Sequence, residues 1–149
     1  MPENPTQAFY EQNLTLVGLV GIIDPPRPES TLAVEKARLA GVKTIMITGD
    51  HVETASAIAS EIGILHEGDQ TITGSELAKL SDQELDDNIK SYTVYARVTP
   101  TDKIRIIKSW QRQDATIAMT GDGVNDAPAL KAANVGISCL LYTSDAADD

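Results

Sequence analysis

The sequence predicts an α/β fold in which helices flank a parallel β-sheet, and two regularities support this prediction. Short apolar runs rich in Val, Ile and Thr alternate with longer segments of helical periodicity, an order typical of parallel sheets. Two of these runs also end in the same tripeptide, TGD, at 48–50 and at 120–122. Because the carboxyl ends of parallel strands open into one crevice, the two tripeptides are expected to face each other across a ligand site.

The first half of the chain has the order helix, strand, helix. The segment ESTLAVEKARLAG at 29–41 predicts a helix that Gly41 ends. The segment VKTIMITGD at 42–50 predicts a buried strand that runs into a loop. After it, apolar residues recur with the spacing of one helical face: Ala55, Ile58, Ala59 and Ile62.

The segment 66–92 interrupts this alternation and is predicted to be an insert of two short polar helices. Thr73 with Glu76, and Ser81 with Glu84, have the spacing of capping boxes, which mark the first turns of helices. The acidic run SDQELDD at 81–87 is interpreted as a solvated face.

The second half returns to the alternating order. YTVYARV at 92–98 predicts a strand, and the helix after it begins at Pro100, because Thr99 and Asp102 have capping-box spacing. Trp110, on that helix, is expected to lie in the core. ATIAMTGD at 115–122 predicts a further strand, VNDAPALKAA at 124–133 a helix, and NVGI at 134–137 a final short strand.

Composition excludes several classes of protein. With 149 residues, 42% of them hydrophobic, the chain is expected to form one globular domain. A formal charge of -10 argues against a nucleic-acid-binding surface. The single cysteine, Cys139, cannot form an internal disulfide, so a reducing compartment is expected. The apolar segment LTLVGLVGII at 14–23 is too short to span a bilayer.

The loops after the two TGD strands carry the side chains of a candidate phosphate and metal site. Thr48 offers a hydroxyl group, and Gly49 permits close backbone approach. The carboxylates of Asp50 and Asp122 are hard oxygen ligands of the kind that Mg²⁺ prefers. Taken alone, however, a single TGD is more typical of a plain turn.

Two helices add polar residues beside these loops. Asn125 and Asp126 lie in the first turn of one helix, where they would bind the waters of a metal or orient the loop. Lys103, in the first turn of another, would bring a positive charge to the crevice. Hydroxyl, ammonium, carboxylates and Mg²⁺ are the parts that phosphoryl transfer requires. Taken alone, Lys103 is more typical of a solvated helix residue, and Asp126 of a carboxylate that favours a helix N-terminus through the dipole.

Four stretches together resemble the P-type ATPases, in particular the calcium-pump-like type II cation pumps. They are DPPRP at 24–28, MITGD at 46–50, YARVTPTDK at 95–103 and TGDGVNDAPALKAANVGI at 120–137. The resemblance covers about residues 12 to 137 and extends to the order and spacing of the motifs. It implies a Rossmann-like sheet of the haloacid-dehalogenase type and an activity in which ATP and Mg²⁺ phosphorylate an aspartate, whose hydrolysis drives ion transport.

The resemblance also implies roles for individual residues. Thr48 would hydrogen-bond the transferred phosphoryl group, and Lys103 would balance the charge of the aspartyl phosphate. Asp122 would bind Mg²⁺, with Asp126 in the same metal site and Asn125 in its supporting shell.

The residues implied for the nucleotide lie in three of the four stretches. Gly49 and Asp50, with Thr48, would lie beside the nucleotide, and Arg97 resembles a nucleotide-proximal arginine. Asp24 and Arg27 would form the hinge between two domains.

The domain organisation implied by the resemblance is that of a fragment. Residues 1–23 would be the C-terminal edge of a nucleotide-binding domain and 24–137 the C-terminal part of the phosphorylation domain. The tail at 138–149 resembles nothing in the family and is interpreted as a frame error or cloning scar. The family's Asp-Lys-Thr-Gly-Thr nucleophile motif is absent from the sequence, so we expect a sheet without its central strand and no turnover by this fragment alone.

Partners and location follow from the same resemblance. The fragment, itself soluble, would work with the rest of a pump on the cytoplasmic face of a membrane, with Ca²⁺ as the expected transported cation. Two alternatives stay open. One is a soluble phosphatase of the haloacid-dehalogenase-like superfamily, which would require its own N-terminal Asp-x-Asp strand; the other is a non-catalytic module that binds Mg²⁺ or a nucleotide.

The missing strand leaves structural alternatives as well. The strands that end at Thr48 and Thr120 would either leave a gap between them or pair directly. The apolar segment 14–23 would be exposed, would fill the vacancy, or would pair with a second copy of the chain.

Overall fold

The computed structural model describes residues 6, 7, 11, 14–21, 25–121 and 124–138. Within them the helices are α1 (Pro28–Leu39), α2 (Val52–Glu61), α3 (Gly74–Leu77), α4 (Asp82–Asn88), α5 (Pro100–Arg112) and α6 (Ala127–Ala132). The strands are β1 (Met46–Ile47), β2 (Gln70–Thr73), β3 (Tyr92–Ala96), β4 (Ala118–Gly121) and β5 (Val135–Ser138). Short 3₁₀ turns span Ile89–Ser91 and Val124–Asp126. The predicted α/β alternation is confirmed, and β2 is an addition to it.

The strands form two parallel sheets rather than one. The first has the order β1-β3-β2 and the second pairs β4 with β5, and every ladder is parallel. Among the described residues no ladder joins β1 to β4, so the structure has the gap rather than the direct pairing. Helix α6 packs on both β4 and β5, which holds the second sheet together without help from β1.

The core lies on both faces of β3, the central strand of the first sheet. Tyr95 packs on one face in a cluster of fully buried side chains that includes Leu77, Leu85 and Ile106. On the other face Val94 and Ala96 pack against helix α2, whose buried face is the predicted one: Ala55, Ala59 and Ile62. Each fully buried Leu or Ile contributes about 1.5 to 3 kcal/mol. Both faces of β3 are therefore buried, and the hydroxyl groups of Thr93 and Tyr95 lie inside without a hydrogen-bond partner among the described residues.

The two short helices predicted in the segment 66–92 are confirmed, but the segment is part of this core, so its interpretation as a polar insert was wrong. Strand β2 was not predicted; it pairs with β3 and makes the sheet three-stranded. Leu77 of α3 and Leu85 of α4 are completely buried. Each helix is so short that it buries only one or two apolar side chains, too few to produce a visible periodicity. The capping boxes at Thr73 and Ser81 are confirmed.

The acidic run 81–87 is mostly exposed, as predicted, and two of its carboxylates also bind α5. Asp82 accepts a hydrogen bond from Arg105 Nε at 2.7 Å. Asp86 accepts hydrogen bonds from Arg112 and from the buried hydroxyl group of Ser109. The positions of these two carboxylates are therefore fixed by arginines on a neighbouring helix. The sequence of the acidic run alone does not predict this pairing.

The pair of Asp86 and Arg112 predicts a dependence of stability on pH. Hydrogen bonds from Arg112 and Ser109 lower the pKa of Asp86 below its usual 3.8. Because the pKa is lowered, the pair stabilises the fold fully at a pH above the pKa of the aspartate in the unfolded chain. The stabilisation is lost as the pH falls through the lower pKa of the folded state. We expect Asp86→Asn to reduce Tm at neutral pH, and the difference from the parent to shrink below about pH 4. Asp87→Asn, at an exposed position, is the control; equal acid responses of both variants would contradict the assignment.

Two further elements differ in detail from their predictions. Strand β1 is only Met46–Ile47 and is half-buried, because it is an edge strand with β3 as its one partner. Helix α1 ends before Gly41, as predicted, but it contains no buried residue. Trp110 is half-buried at the margin of the core, with Lys43 Nζ lying 5.6 Å from the centre of its ring.

Residues 14–21 of the apolar segment 14–23 are exposed, so they do not fill the vacancy, and residues 22 and 23 lie outside the described residues. The segment's side chains are 76% to 98% exposed at Leu14, Leu16, Val17, Leu19 and Val20. Contiguous exposed apolar residues promote association.

Replacing Val17 and Leu19 together by aspartate is therefore expected to lower self-association, measured by light scattering, without changing Tm. The same two charges at the exposed positions Thr31 and Gln83 serve as the control. Unchanged scattering in the Val17/Leu19 variant would show that the segment does not drive association.

Candidate functional site

A cleft of about 400 Å³ separates the carboxyl ends of β1 and β4. Its walls are 47–49 on one side and 119–121 on the other, and Lys103 and Asp126 complete the lining. The prediction that the two TGD phrases face each other is thus confirmed for their described residues. A cavity of about 440 Å³ lies at the opposite edge of the sheet, but none of the predicted site residues lines it.

Lys103 and Asp126 form an ion pair at this cleft. Helix α5 begins at Pro100 with the predicted capping box, which brings Lys103 into its first turn. Lys103 Nζ donates to Asp126 Oδ1 at 2.6 Å, and the two side chains are only 15% and 12% exposed. Sequence reasoning placed both residues near the crevice but did not predict that they contact each other.

Gly121 makes room for this carboxylate. A Cβ atom at position 121 would lie 2.6 Å from the Cβ atom of Asp126 and 2.9 Å from its carboxylate carbon. Both distances are shorter than van der Waals contact, so a side chain at 121 would displace Asp126. The glycine of the second TGD is therefore required for close approach, as proposed for glycines after strands, although its partner was not foreseen.

The first TGD forms a turn closed by its own side chains. The Thr48 hydroxyl donates to Asp50 Oδ2 at 3.0 Å and accepts from the Asp50 N–H at 3.1 Å. The backbone N–H of Thr48 donates to the Tyr95 carbonyl, and the N–H of Val98 donates to the Thr48 carbonyl. The turn is thereby attached to β3, and Thr48 and Gly49 line the cleft while Asp50 is exposed and does not.

Arg97 lies in the loop after β3, next to the same turn. Its backbone N–H donates to the Asp50 carbonyl at 3.1 Å, and its φ of 50° is in the left-handed region. Its guanidinium contacts Nε2 of His51, the residue that precedes α2. A Cβ atom at Gly74 would collide with the Arg97 carbonyl group, so this glycine was a further requirement of the site that the sequence analysis missed.

The remaining predicted site residues are not brought into the cleft or are not described. Arg27, at the N-cap position of α1, and Asn125 are exposed and do not line it. Asp24 and Asp122 lie outside the described residues, so their predicted roles stay predictions. Within the described ranges no group of three or more His, Cys, Asp or Glu side chains is arranged to hold a metal ion. No helix in the described part of the chain is long and apolar enough to cross a membrane.

Comparison with known proteins places this geometry in a family. The model of the haloacid dehalogenase-like hydrolases matches residues 2–134. The chain is 53% identical over 138 residues to calcium-transporting ATPase 1 of Lactococcus lactis. The aligned region covers 93% of this chain and 16% of that protein. It is 47% identical over 147 residues to the calcium-transporting ATPase of Bacillus subtilis, covering 99% of this chain and 16% of that protein.

Relatives that transport other cations are also similar. Sodium/potassium-transporting ATPase subunit alpha-1 of Oreochromis mossambicus is 43% identical over 163 residues, covering 92% of this chain and 16% of that protein. The chain thus spans about 16% of the length of these curated relatives. The resemblance to cation-transporting ATPases predicted from the four motifs is confirmed, and the chain belongs to the haloacid dehalogenase-like hydrolase family.

Proposed function

We propose that this chain is the part of an ATP-driven cation pump that stabilises the phosphoryl group during formation and hydrolysis of an aspartyl phosphate. The observation that carries the proposal is the cleft in which the ends of β1 and β4 meet the ion pair of Lys103 and Asp126. The calcium-transporting relatives favour Ca²⁺ as the transported cation.

The residues of the cleft suit a phosphoryl group. Lys103 supplies a positive charge that is nearly excluded from water, and Asp126 holds its ammonium group in place. A preorganised charge in such a site stabilises developing negative charge without reorganising solvent. The Thr48 hydroxyl and the backbone of Gly49 and Gly121 provide polar contacts at the opposite walls. We assign Thr48 and Lys103 to the phosphoryl group.

For the family's Mg²⁺ the described lining of the cleft offers one carboxylate, Asp126, whose Oδ1 atom accepts from Lys103. We assign Asp122 and Asp126 to the metal, which when bound supplies charge neutralisation for phosphoryl transfer. For ATP we assign the turn and hinge residues of the sequence analysis, which are Asp24, Arg27, Thr48, Gly49, Asp50 and Arg97. Asn125 is assigned to the supporting shell of the metal.

In this proposal residues 24–137 belong to the phosphorylation domain, 1–23 to the edge of a nucleotide-binding domain, and 138–149 to a tail outside the family pattern. The partners are the remaining domains of the pump, and the site works on the cytoplasmic face of a membrane.

A segment exchange tests the proposal. The matching segment of the Lactococcus lactis ATPase is replaced by the aligned residues of this chain, and ATP-dependent Ca²⁺ uptake is measured in vesicles. We expect uptake to survive the exchange and Lys103→Met to abolish it. A correctly inserted exchange protein that hydrolyses no ATP would overturn the proposal.

The isolated chain gives a second test of function class. Incubated with Mg²⁺ and labelled ATP, it should form no acid-stable phosphoenzyme, since nucleophilic catalysis needs a carboxylate in line with phosphorus. Hydrolysis of small phosphate monoesters by this chain would favour the soluble phosphatase instead.

Mg²⁺ should stabilise the fold by binding the native state in preference to the unfolded chain. We expect saturation at about millimolar Mg²⁺. A Mg²⁺ concentration of roughly ten times the dissociation constant raises the free energy of unfolding by about 1.4 kcal/mol. For a domain of this size the rise in Tm is about 3 to 6 °C. Asp122→Asn should remove most of the rise while leaving the metal-free protein no less stable, because it removes a repelling charge together with a ligand.

Asp87→Asn, in the exposed part of the acidic run, is the matched control and should leave the Mg²⁺ response intact. If both variants respond like the parent, the ion only screens a chain of charge -10 and the metal assignment fails.

A further inference from the structure

His51 and Arg97 form a side-chain pair whose function is not explained by the fold alone. The guanidinium Nη2 of Arg97 contacts His51 Nε2 and joins the start of α2 to the loop after β3. His51 occupies the N-cap position of α2 but makes no side-chain capping hydrogen bond there. The pair lies beside the turn of Thr48 and Asp50, at the same edge of the sheet as the cleft.

The backbone of Arg97 is held before its side chain makes any contact. The N–H of Arg97 donates to the Asp50 carbonyl. The carbonyl group of Arg97 packs against Gly74, which has no side chain to obstruct it. The next residue, Val98, donates to the Thr48 carbonyl at 3.3 Å. The loops after β1 and β3 are thus joined through the backbone. The side chain of Arg97 is held by the contact of its guanidinium with His51.

The partner of Arg97 differs in charge from the partners of two other arginines. Arg105 and Arg112 bind the carboxylates of Asp82 and Asp86, which neutralise them. A neutral imidazole accepts one hydrogen bond from a guanidinium and leaves its positive charge uncompensated. The other guanidinium N–H groups then remain available to a second ligand.

We propose that His51 is a positioning residue that holds Arg97 for an anionic nucleotide at the edge of the cleft. The inference rests on the proposed function and extends it to a residue with no assigned role. In a chain of charge -10, a cation that is oriented but not neutralised is suited to a polyphosphate. Because Nε2 accepts from Arg97, the imidazole proton must be on Nδ1.

The first test uses this chain itself. Nitrogen-15 NMR in mildly alkaline buffer, where an ordinary imidazole is neutral, should show His51 with its proton on Nδ1 and Nε2 bare. Arg97→Ala should shift the population toward the form protonated on Nε2. A parent chain with its proton on Nε2 would overturn the proposal, because that nitrogen could not accept.

The second test uses the exchange protein described above. His51→Ala should raise KM for ATP about tenfold, which corresponds to about 1.4 kcal/mol, with little change in kcat. His51→Gln, which keeps a hydrogen-bond acceptor, should restore most of the affinity. His66→Ala changes the other histidine, exposed at the opposite edge of the sheet, and should leave KM unchanged.

The outcomes separate the two proposals. An unchanged KM in His51→Ala, or an equal rise in His66→Ala, overturns the positioning role while the proposed function stands. An inactive parent exchange protein overturns the proposed function and with it the nucleotide role of His51, and the NMR measurement still decides whether the pair exists.

Discussion

Replacing Lys103 by methionine is expected to destabilise the fold by about 3 to 5 kcal/mol, the range for breaking a buried ion pair from one side. The carboxylate of Asp126 would remain nearly inaccessible to water and would lose its 2.6 Å contact with the ammonium group. Gly121 packs directly against it, which leaves little room for the carboxylate to turn toward solvent. The free energy of unfolding from urea denaturation measures the effect.

A double-mutant cycle separates the pair from its surroundings. Lys103→Met combined with Asp126→Leu should cost less than Lys103→Met alone, because no charge is then left buried without a partner. Lys108→Met changes an exposed lysine of the same helix and should alter stability by less than about 0.5 kcal/mol. If Lys103→Met costs no more than this control, the pair is not buried in solution.

Gly74→Ala is expected to destabilise the fold by about 2 to 3 kcal/mol, in the upper range for overpacking. The direction of the change in stability is informative, because helix propensity alone would make the alanine variant more stable by about 1 kcal/mol. The added Cβ atom would meet the carbonyl group of Arg97 and the Cα atom of Val98, the latter at 3.3 Å. These are backbone atoms that cannot rotate away, so α3 or the loop after β3 must move.

The same variant should change the environment of Arg97. Amide chemical shifts of Arg97 and Val98 are expected to move more than those of the distant strand β5. Gly49→Ala is the stability control, since a Cβ atom there would have no neighbour within 4 Å. A Gly74→Ala chain as stable as the parent would mean that α3 does not pack tightly against the Arg97 loop.

Elements with local chemical signals could be predicted closely. Helix α5 begins at the predicted Pro100 because Thr99 and Asp102 cap it with bonds across three residues. The buried face of α2 follows from helical periodicity alone. The repeated TGD placed Thr48 and Thr120 at one cleft, since the topology of parallel strands brings their carboxyl ends together.

Elements stabilised by distant contacts could not be predicted in the same way. Strand β2 exists because β3 pairs with it, and a four-residue run of Gln and Thr around one Ile gives little apolar signal. The two helices after β2 were predicted to be polar because each buries a single leucine, Leu77 or Leu85. One buried apolar residue produces no helical periodicity in the sequence.

By itself, then, the sequence determined the α/β class, the family motifs and the two loops that line the cleft, because caps, periodicity and strand order act over short distances along the chain. Only the tertiary structure decided which polar side chains meet. Lys103 reaches Asp126 across 23 positions and Arg97 reaches His51 across 46. Such pairs depend on how sheets and helices pack, since an ammonium or guanidinium group binds whichever acceptor the fold brings within hydrogen-bonding distance.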